Sequence, residues 1–112
     1  MMIYNSGDIV VVPFPFVDNA NIKFRPALVV SSKSFNEEQD HSILVMITTG
    51  SSNKWNTDIE ITNLNLAGLP VKSFIRLKFF TIDNRLIKKI IGKLDETTFN
   101  NVKNNLTTHL FT

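Results

Sequence analysis

The apolar residues of this chain come in short β-branched runs closed by turn residues, and helical spacing is found only after Asp95. Ile9-Val10-Val11-Val12 follows Gly7-Asp8 and stops at Pro13. A run apolar at every position and rich in β-branched residues reads as a buried strand. Pro26-Ala27-Leu28-Val29-Val30 and Ile43-Leu44-Val45-Met46-Ile47 are of the same kind. Asp58-Ile59-Glu60-Ile61 alternates polar and apolar residues, as a half-exposed strand does. Two further strands are expected over 73–82 and 87–94, with Asp83-Asn84-Arg85 between them. Asp95 is a candidate N-cap with Glu96 in the first turn, and Phe99, Val102, Leu106 and Leu110 then recur on one helical face.

The connections are polar. Phe14 to Phe24 reads as a long loop, Lys33 to His41 as a polar stretch with one short helical turn around Phe35, residues 50–56 as a flexible loop, and residues 65–70 as a turn. Five to seven short antiparallel strands with one late helix predict a mainly β (α+β) fold, a small and strongly bent barrel with a C-terminal helix.

The length of 112 residues leaves room for one core, so a single domain is expected over residues 1–112. Hydrophobic residues make up 43% of the chain, which suffices for that core. A domain this small still leaves apolar surface wet, and a homodimer is the economical way to cover it. There is no Cys, so disulfides and thiolate metal sites are excluded and the cytoplasm is the expected compartment. The opening segment is broken by Asp8 and Pro13 and has no basic flank, unlike a signal peptide, and no apolar run has membrane-spanning length.

Net charge is only +2, but it is unevenly placed: residues 72–93 hold Lys72, Arg76, Lys78, Arg85, Lys88, Lys89 and Lys93 against the single acid Asp83. Such an excess suits an anionic partner such as a nucleic acid; it is equally the pattern of a Lys-rich solvated strand edge.

Several chemistries are unsupported. His41 and His109 are the only histidines, one in a polar connection and one near the end of the closing helix, so a paired-histidine site is not expected. No His, Asp and Glu stand at metal-ligand spacing, so no metal or other cofactor is expected. The four glycines are too scattered for a phosphate-cradling loop, and Ser31-Ser32 and Ser51-Ser52 have no nearby base.

Arg25 is different. It precedes Pro26 at the mouth of a buried strand, where its planar guanidinium could grip a phosphate with two parallel bonds. It could as well be an ordinary exposed Arg paired with Asp18 or Glu60. Thr48 and Thr49 end the central apolar run beside a Gly-Ser-Ser-Asn loop; a hydroxyl there could donate to a phosphate oxygen or bond its own backbone. Trp55 in the same loop could stack a base or pack over the barrel end.

In order and spacing, Gly7-Asp8-Ile9-Val10-Val11-Val12-Pro13-Phe14, Arg25-Pro26-Ala27-Leu28-Val29, Ile47-Thr48-Thr49, Gly68-Leu69-Pro70 with Ser73, and Thr81-Ile82-Asp83 resemble the PemK/MazF toxins of type II toxin–antitoxin systems. The resemblance runs nearly end to end. It implies a PemK/CcdB-like, SH3-like barrel acting as a homodimer. It implies an mRNA interferase, a sequence-selective endoribonuclease that cuts single-stranded mRNA without metal, leaves a cyclic phosphate and a 5′-hydroxyl, and is neutralised by a cognate antitoxin.

By the same resemblance Arg25 and Thr48 are the catalytic candidates, and any acid or base role of Arg25 is implied by the family alone. The loop from Phe16 to Phe24 would help to hold RNA, with Phe16, Asp18 and Lys23 as candidate contacts. Thr49, Ser51, Lys54 and Trp55 would add contacts from the strand end and its loop, and Lys78 from the basic segment. The chain departs from the family pattern at Thr49-Gly50-Ser51-Ser52 and over Arg76 to Thr81, where base recognition would be built. Two other readings stay open: a CcdB-like toxin that binds DNA gyrase through its C-terminal Leu110-Phe111-Thr112, and a barrel that binds RNA without cutting it.

Overall fold

The computed structural model describes residues 2–14, 23–50 and 53–111. The apolar runs form the strands β1 (Asp8–Pro13), β2 (Phe24–Val29) and β3 (His41–Thr49), with helix α1 (Lys33–Gln39) between the last two. The edge strand β4 (Ile59–Glu60), the one-turn helix α2 (Leu64–Ala67), the long strand β5 (Ser73–Asp83), a 3-10 turn (Asn84–Leu86), β6 (Lys89–Lys93) and helix α3 (Glu96–Leu110) follow. The strands form one curled six-stranded sheet in the order β4-β5-β3-β2-β1-β6, antiparallel at every described pairing.

Side chains alternate across this sheet, and both faces are covered. Ile9, Leu28, Val45 and Ile47 point into a core closed by Ile61, Leu69 and Val102 of α3. Their neighbours Val10, Val12, Ala27, Val29, Leu44 and Met46 point the other way, into a second cluster with Tyr4, Ile82 and Ile87. Strands buried on both faces need no polar alternation, which accounts for the unbroken apolar runs.

Helix α3 starts where the Asp95 carboxylate accepts the Thr98 N–H, at 3.0 Å. Its buried face is Thr98 and Val102, with Phe99 and Leu106 packed beside the core. Leu110, expected on that face, is 52% exposed.

Four local expectations are corrected. The polar stretch after β2 is a seven-residue helix rather than one short turn. Ser32 caps it by accepting the Phe35 N–H, and Asp40, at φ 52°, ends it. Its inward residue is Asn36, whose amide donates to the Tyr4 carbonyl at 2.9 Å. His41 consequently opens β3 instead of lying in a connection. Residues 64–67 are helical rather than part of a simple turn, with Asn63 as N-cap and Gly68 closing at φ 72°. The strand expected over Asp58 to Ile61 keeps only Ile59–Glu60: Asp58 bonds elsewhere and Ile61 enters the core.

Candidate functional site

The hairpin of β1 and β2 sets Arg25 opposite Val12, inside β2 rather than at its mouth as expected. The ladder continues one step outward, where the Phe14 N–H donates to the Lys23 carbonyl at 2.7 Å. Thr48 and Thr49, at the end of β3, stand opposite Phe74 and Ser73 of β5. Between Val45 and Met46 the pairing on β5 jumps from Phe79 to Arg76, so Leu77 and Lys78 form a bulge.

These elements enclose a cleft of about 320 Å³ lined by Phe14, Arg25, Pro26, Met46, Ile47, Thr48, Thr49, Ser73, Arg76 and Lys78. Three strands thus bring Arg25, Thr48, Thr49 and Lys78 to one place. Arg25 is exposed, its guanidinium lies over the Phe14 ring, 5.7 Å from its centre, and among the described residues no carboxylate reaches it. Among the described residues the Thr48 hydroxyl donates only to the Thr49 carbonyl, at 3.4 Å, a long contact that an incoming acceptor would readily replace. The described lining holds guanidinium, ammonium and hydroxyl donors and no carboxylate or imidazole. Its chemistry is that of an anion receptor.

Lys54 and Trp55 sit on the rim rather than in the lining. The Lys54 ammonium lies over the Phe74 ring at 4.6 Å, and Trp55, 44% exposed, carries the Arg76 guanidinium over its ring at 5.1 Å. Lys23 is exposed and meets the site through its backbone. Phe16, Asp18 and Ser51 lie outside the described residues.

Arg76 lies in the stretch where base recognition was expected, although it was not among the candidate contacts, and Asp58 was not expected at the site at all. Arg76 donates from Nε to Asp58 Oδ1 at 3.1 Å and from Nη2 to Oδ2 at 2.8 Å. Nη2 also donates to the Asn53 carbonyl at 2.7 Å. The Asp58 side chain is 3% exposed and that of Arg76 15%. The bond to Asp58 holds the Arg76 guanidinium above its usual pKa. Asp58 also accepts the Trp55 N–H, at 3.0 Å, fixing loop and strand together. The available signal was Arg76 two residues before Lys78 in the basic segment; nothing marked Asp58 as its partner.

That basic segment does not make one patch. Arg76 and Lys78 lie in β5 and Lys89 and Lys93 in β6, which the sheet order separates by three strands, while Lys72, Arg85 and Lys88 lie outside both. Lys72, Arg76 and Arg85 lie against Glu60, Asp58 and Asp83 respectively.

A larger cavity, about 670 Å³, lies between the N-terminal segment, the start of β3 and the 3-10 turn, lined by Met2, Tyr4, His41, Asp83 and Arg85 among others. Asp83 and Arg85 there bind one another at 2.7 Å, and Asp40 adds a further carboxylate to the lining. The smaller cleft, with its surplus of donors, is the better candidate.

The architecture is thus a curled six-stranded antiparallel sheet closed by a helix, with the cleft between β2, β3 and β5. Residues 5–110 match the model of the PemK-like, MazF-like toxins of type II toxin–antitoxin systems, and the chain belongs to that family. Among solved structures, MazF from Deinococcus radiodurans superposes with a TM-score of 0.77 at 17% identity, over 100% of both chains. A MazE-MazF complex from the same organism gives 0.78 at 16% identity, over 97% of each chain. An endoribonuclease in complex with its cognate antitoxin, from a mycobacterial species, gives 0.74 at 16% identity, over 96% of this chain and 93% of that one. No curated protein matches the chain.

Proposed function

We propose that this toxin endoribonuclease cuts single-stranded RNA at preferred sequences by attack of the RNA's own 2′-hydroxyl, without a metal ion. The 2′-oxygen bonds to the adjacent phosphorus as its proton leaves. The bond from phosphorus to the 5′-oxygen breaks, and that oxygen takes up a proton. The products are a 2′,3′-cyclic phosphate and a 5′-hydroxyl. Charge gathers on the phosphorane oxygens, where Arg25 donates from one side and Thr48 from the other. One such donor typically lowers a barrier by ~3 kcal/mol.

The observation that carries this reading is that Arg25 and Thr48, from different strands, line one cleft rich in donors and without a carboxylate among its described residues. Lys78 and Thr49 add donors for flanking phosphates, and Trp55 offers a ring to a base. The test is incubation of the purified chain with a long RNA in excess EDTA, followed by mapping of the ends. Cuts at a recurring sequence with cyclic-phosphate ends are expected; no cleavage in EDTA would refute the metal-free reading.

The reading includes three associations. The toxin acts in the cytoplasm; no described helix is long and apolar enough to cross a membrane. It works as a homodimer with the cleft across or beside the shared interface. A cognate antitoxin neutralises it by laying a disordered acidic tail over the cleft, where carboxylates stand in for phosphates. Solved neighbours that are toxin–antitoxin complexes support an antitoxin partner. Gyrase binding finds one favourable observation, the 77% exposure of Phe111. The donor set of the cleft weighs more.

A further inference from the structure

Two arginines line the cleft, and they are built differently. No described carboxylate reaches Arg25, which therefore brings a full positive charge. Arg76 is matched by Asp58, so the two together bring almost none. A net-neutral pair in a cleft gains little from a phosphate, whose attraction is mainly coulombic. It can still donate hydrogen bonds.

The geometry says how many. A guanidinium has five N–H donors. Nε and one proton of Nη2 go to Asp58, and the other proton of Nη2 goes to the Asn53 carbonyl. Both protons of Nη1 have no acceptor among the described residues, on a side chain that lines the cleft. The guanidinium cannot turn away, because Asp58 grips one edge and the Trp55 ring lies over it. A rigid, charge-compensated pair of donors suits a neutral acceptor, such as a base edge carrying a keto oxygen.

We propose that Arg76 is a specificity-determining residue that reads an acceptor edge of a base beside the cut phosphate, and that Asp58 is the positioning residue that aims it. The proposal rests on the ribonuclease reading above. It gives the two arginines separate tasks: Arg25 meets the phosphate, and Arg76 chooses the sequence. Asp58 does not touch RNA.

The test uses the full chain with Asp58→Asn, Arg76→Gln and Arg76→Lys, each checked for folding by circular dichroism, in two measurements. In the first, ends are mapped on a long RNA. At the wild-type sites, cleavage by Asp58→Asn and Arg76→Gln is expected to fall at least about tenfold, the range for losing one base-reading contact. The loss should appear mainly in KM, with cuts spreading to sites that break the preference at one position. Arg76→Lys, which keeps the charge but lacks the planar fork, should lose the same preference.

In the second, binding of a 2′-O-methyl RNA, which cannot be cut, is followed against salt. Each phosphate contact to a single strand contributes about 0.7 to the slope of log K against log salt. Arg25→Ala should lower the slope by that amount, and Arg76→Gln should leave it unchanged.

An unchanged cleavage preference in the folded variants, with all sites slowed alike, would overturn the inference. So would a slope that falls in Arg76→Gln as it does in Arg25→Ala, which would make Arg76 a phosphate clamp. Either result leaves the ribonuclease reading standing. A wild-type chain that cuts no RNA would refute that reading first and the inference with it.

Discussion

Met46 faces Arg76 across the β3–β5 ladder, although Val45, its neighbour in β3, faces Phe79. The two extra residues of β5 leave the ladder at the level of the cleft, and both Arg76 and Lys78 reach its lining. A regular ladder would have set Lys78 opposite Met46 and moved Arg76 two pairs further along, opposite Thr48. The bulge thereby sets the spacing between the central strand's hydroxyls and the basic residues of β5.

Arg25→Ala should leave the fold intact, since the side chain is exposed on a strand whose inward residues are Ala27, Leu28 and Val29. Cleavage should fall at least about 100-fold, the usual loss for one transition-state donor. Arg25→Lys should recover only part of it, because an ammonium cannot make two parallel bonds to a phosphate. A gel assay with circular dichroism as the folding control decides; a folded Arg25→Ala near the wild-type rate removes Arg25 from the mechanism.

Thr48→Ser should retain more activity than Thr48→Val. Among the described residues the hydroxyl makes only the 3.4 Å contact to Thr49, so its removal should cost the fold little and the reaction a donor. Equal rates in Ser and Val variants of matched stability would show that the methyl group, not the hydroxyl, matters.

Gly68 and Gly92 should be the least replaceable small residues. A Cβ on Gly68 would stand 2.0 Å from the Ile91 carbonyl oxygen, at a φ of +72° that L side chains rarely adopt. A Cβ on Gly92 would stand 2.4 Å from the Ala67 carbonyl. Backbone cannot yield as a side-chain tip can, so Gly68→Ala should cost more than ~2 kcal/mol. Thermal melting is expected to show a drop on the order of 10 °C, with Gly92→Ala close behind. An unshifted midpoint would mean that α2 and β6 can separate.

Acid should release the turn after β5 at an unusually low pH. Hydrogen bonds from the Arg85 side chain and then its backbone N–H hold Asp83 at a pKa of about 2. A depressed carboxylate stabilises the folded state above its unfolded value, near 4. That contribution fades as pH falls from there through about 2. Carboxyl NMR should place the Asp83 midpoint near about 2 and show it rising in Arg85→Ala. A midpoint near 4 in the wild type would show that the pair is not formed in solution.

Much of this architecture was legible because both faces of the sheet are buried, so β1, β2 and β3 appear as apolar runs that nothing else explains. Asp95 and the spacing of Phe99, Val102 and Leu106 announced α3 for the same reason. Helix α1 was underestimated because its inward residue, Asn36, is held by amide bonds instead of apolar contact, and hydrophobic spacing is blind to that. The bulge was invisible because two inserted residues preserve the in–out alternation of a strand, leaving Ile75 and Phe79 on the same side as before. Arg25, Thr48, Thr49 and Lys78 share a cleft, but Asp58 read as one polar position in an alternating strand. Its partner lies eighteen residues away, at a distance that no local pattern encodes.

The pairing of β1 with β6 makes the order of synthesis matter. Arg25 and Thr48 are made before the strand beside β1 and the helix that brings Val102 into the core. Long-range pairing of this kind cannot form until its second partner exists. A chain that has not reached Lys78 therefore carries the candidate side chains Arg25 and Thr48 without the β5 wall of their cleft.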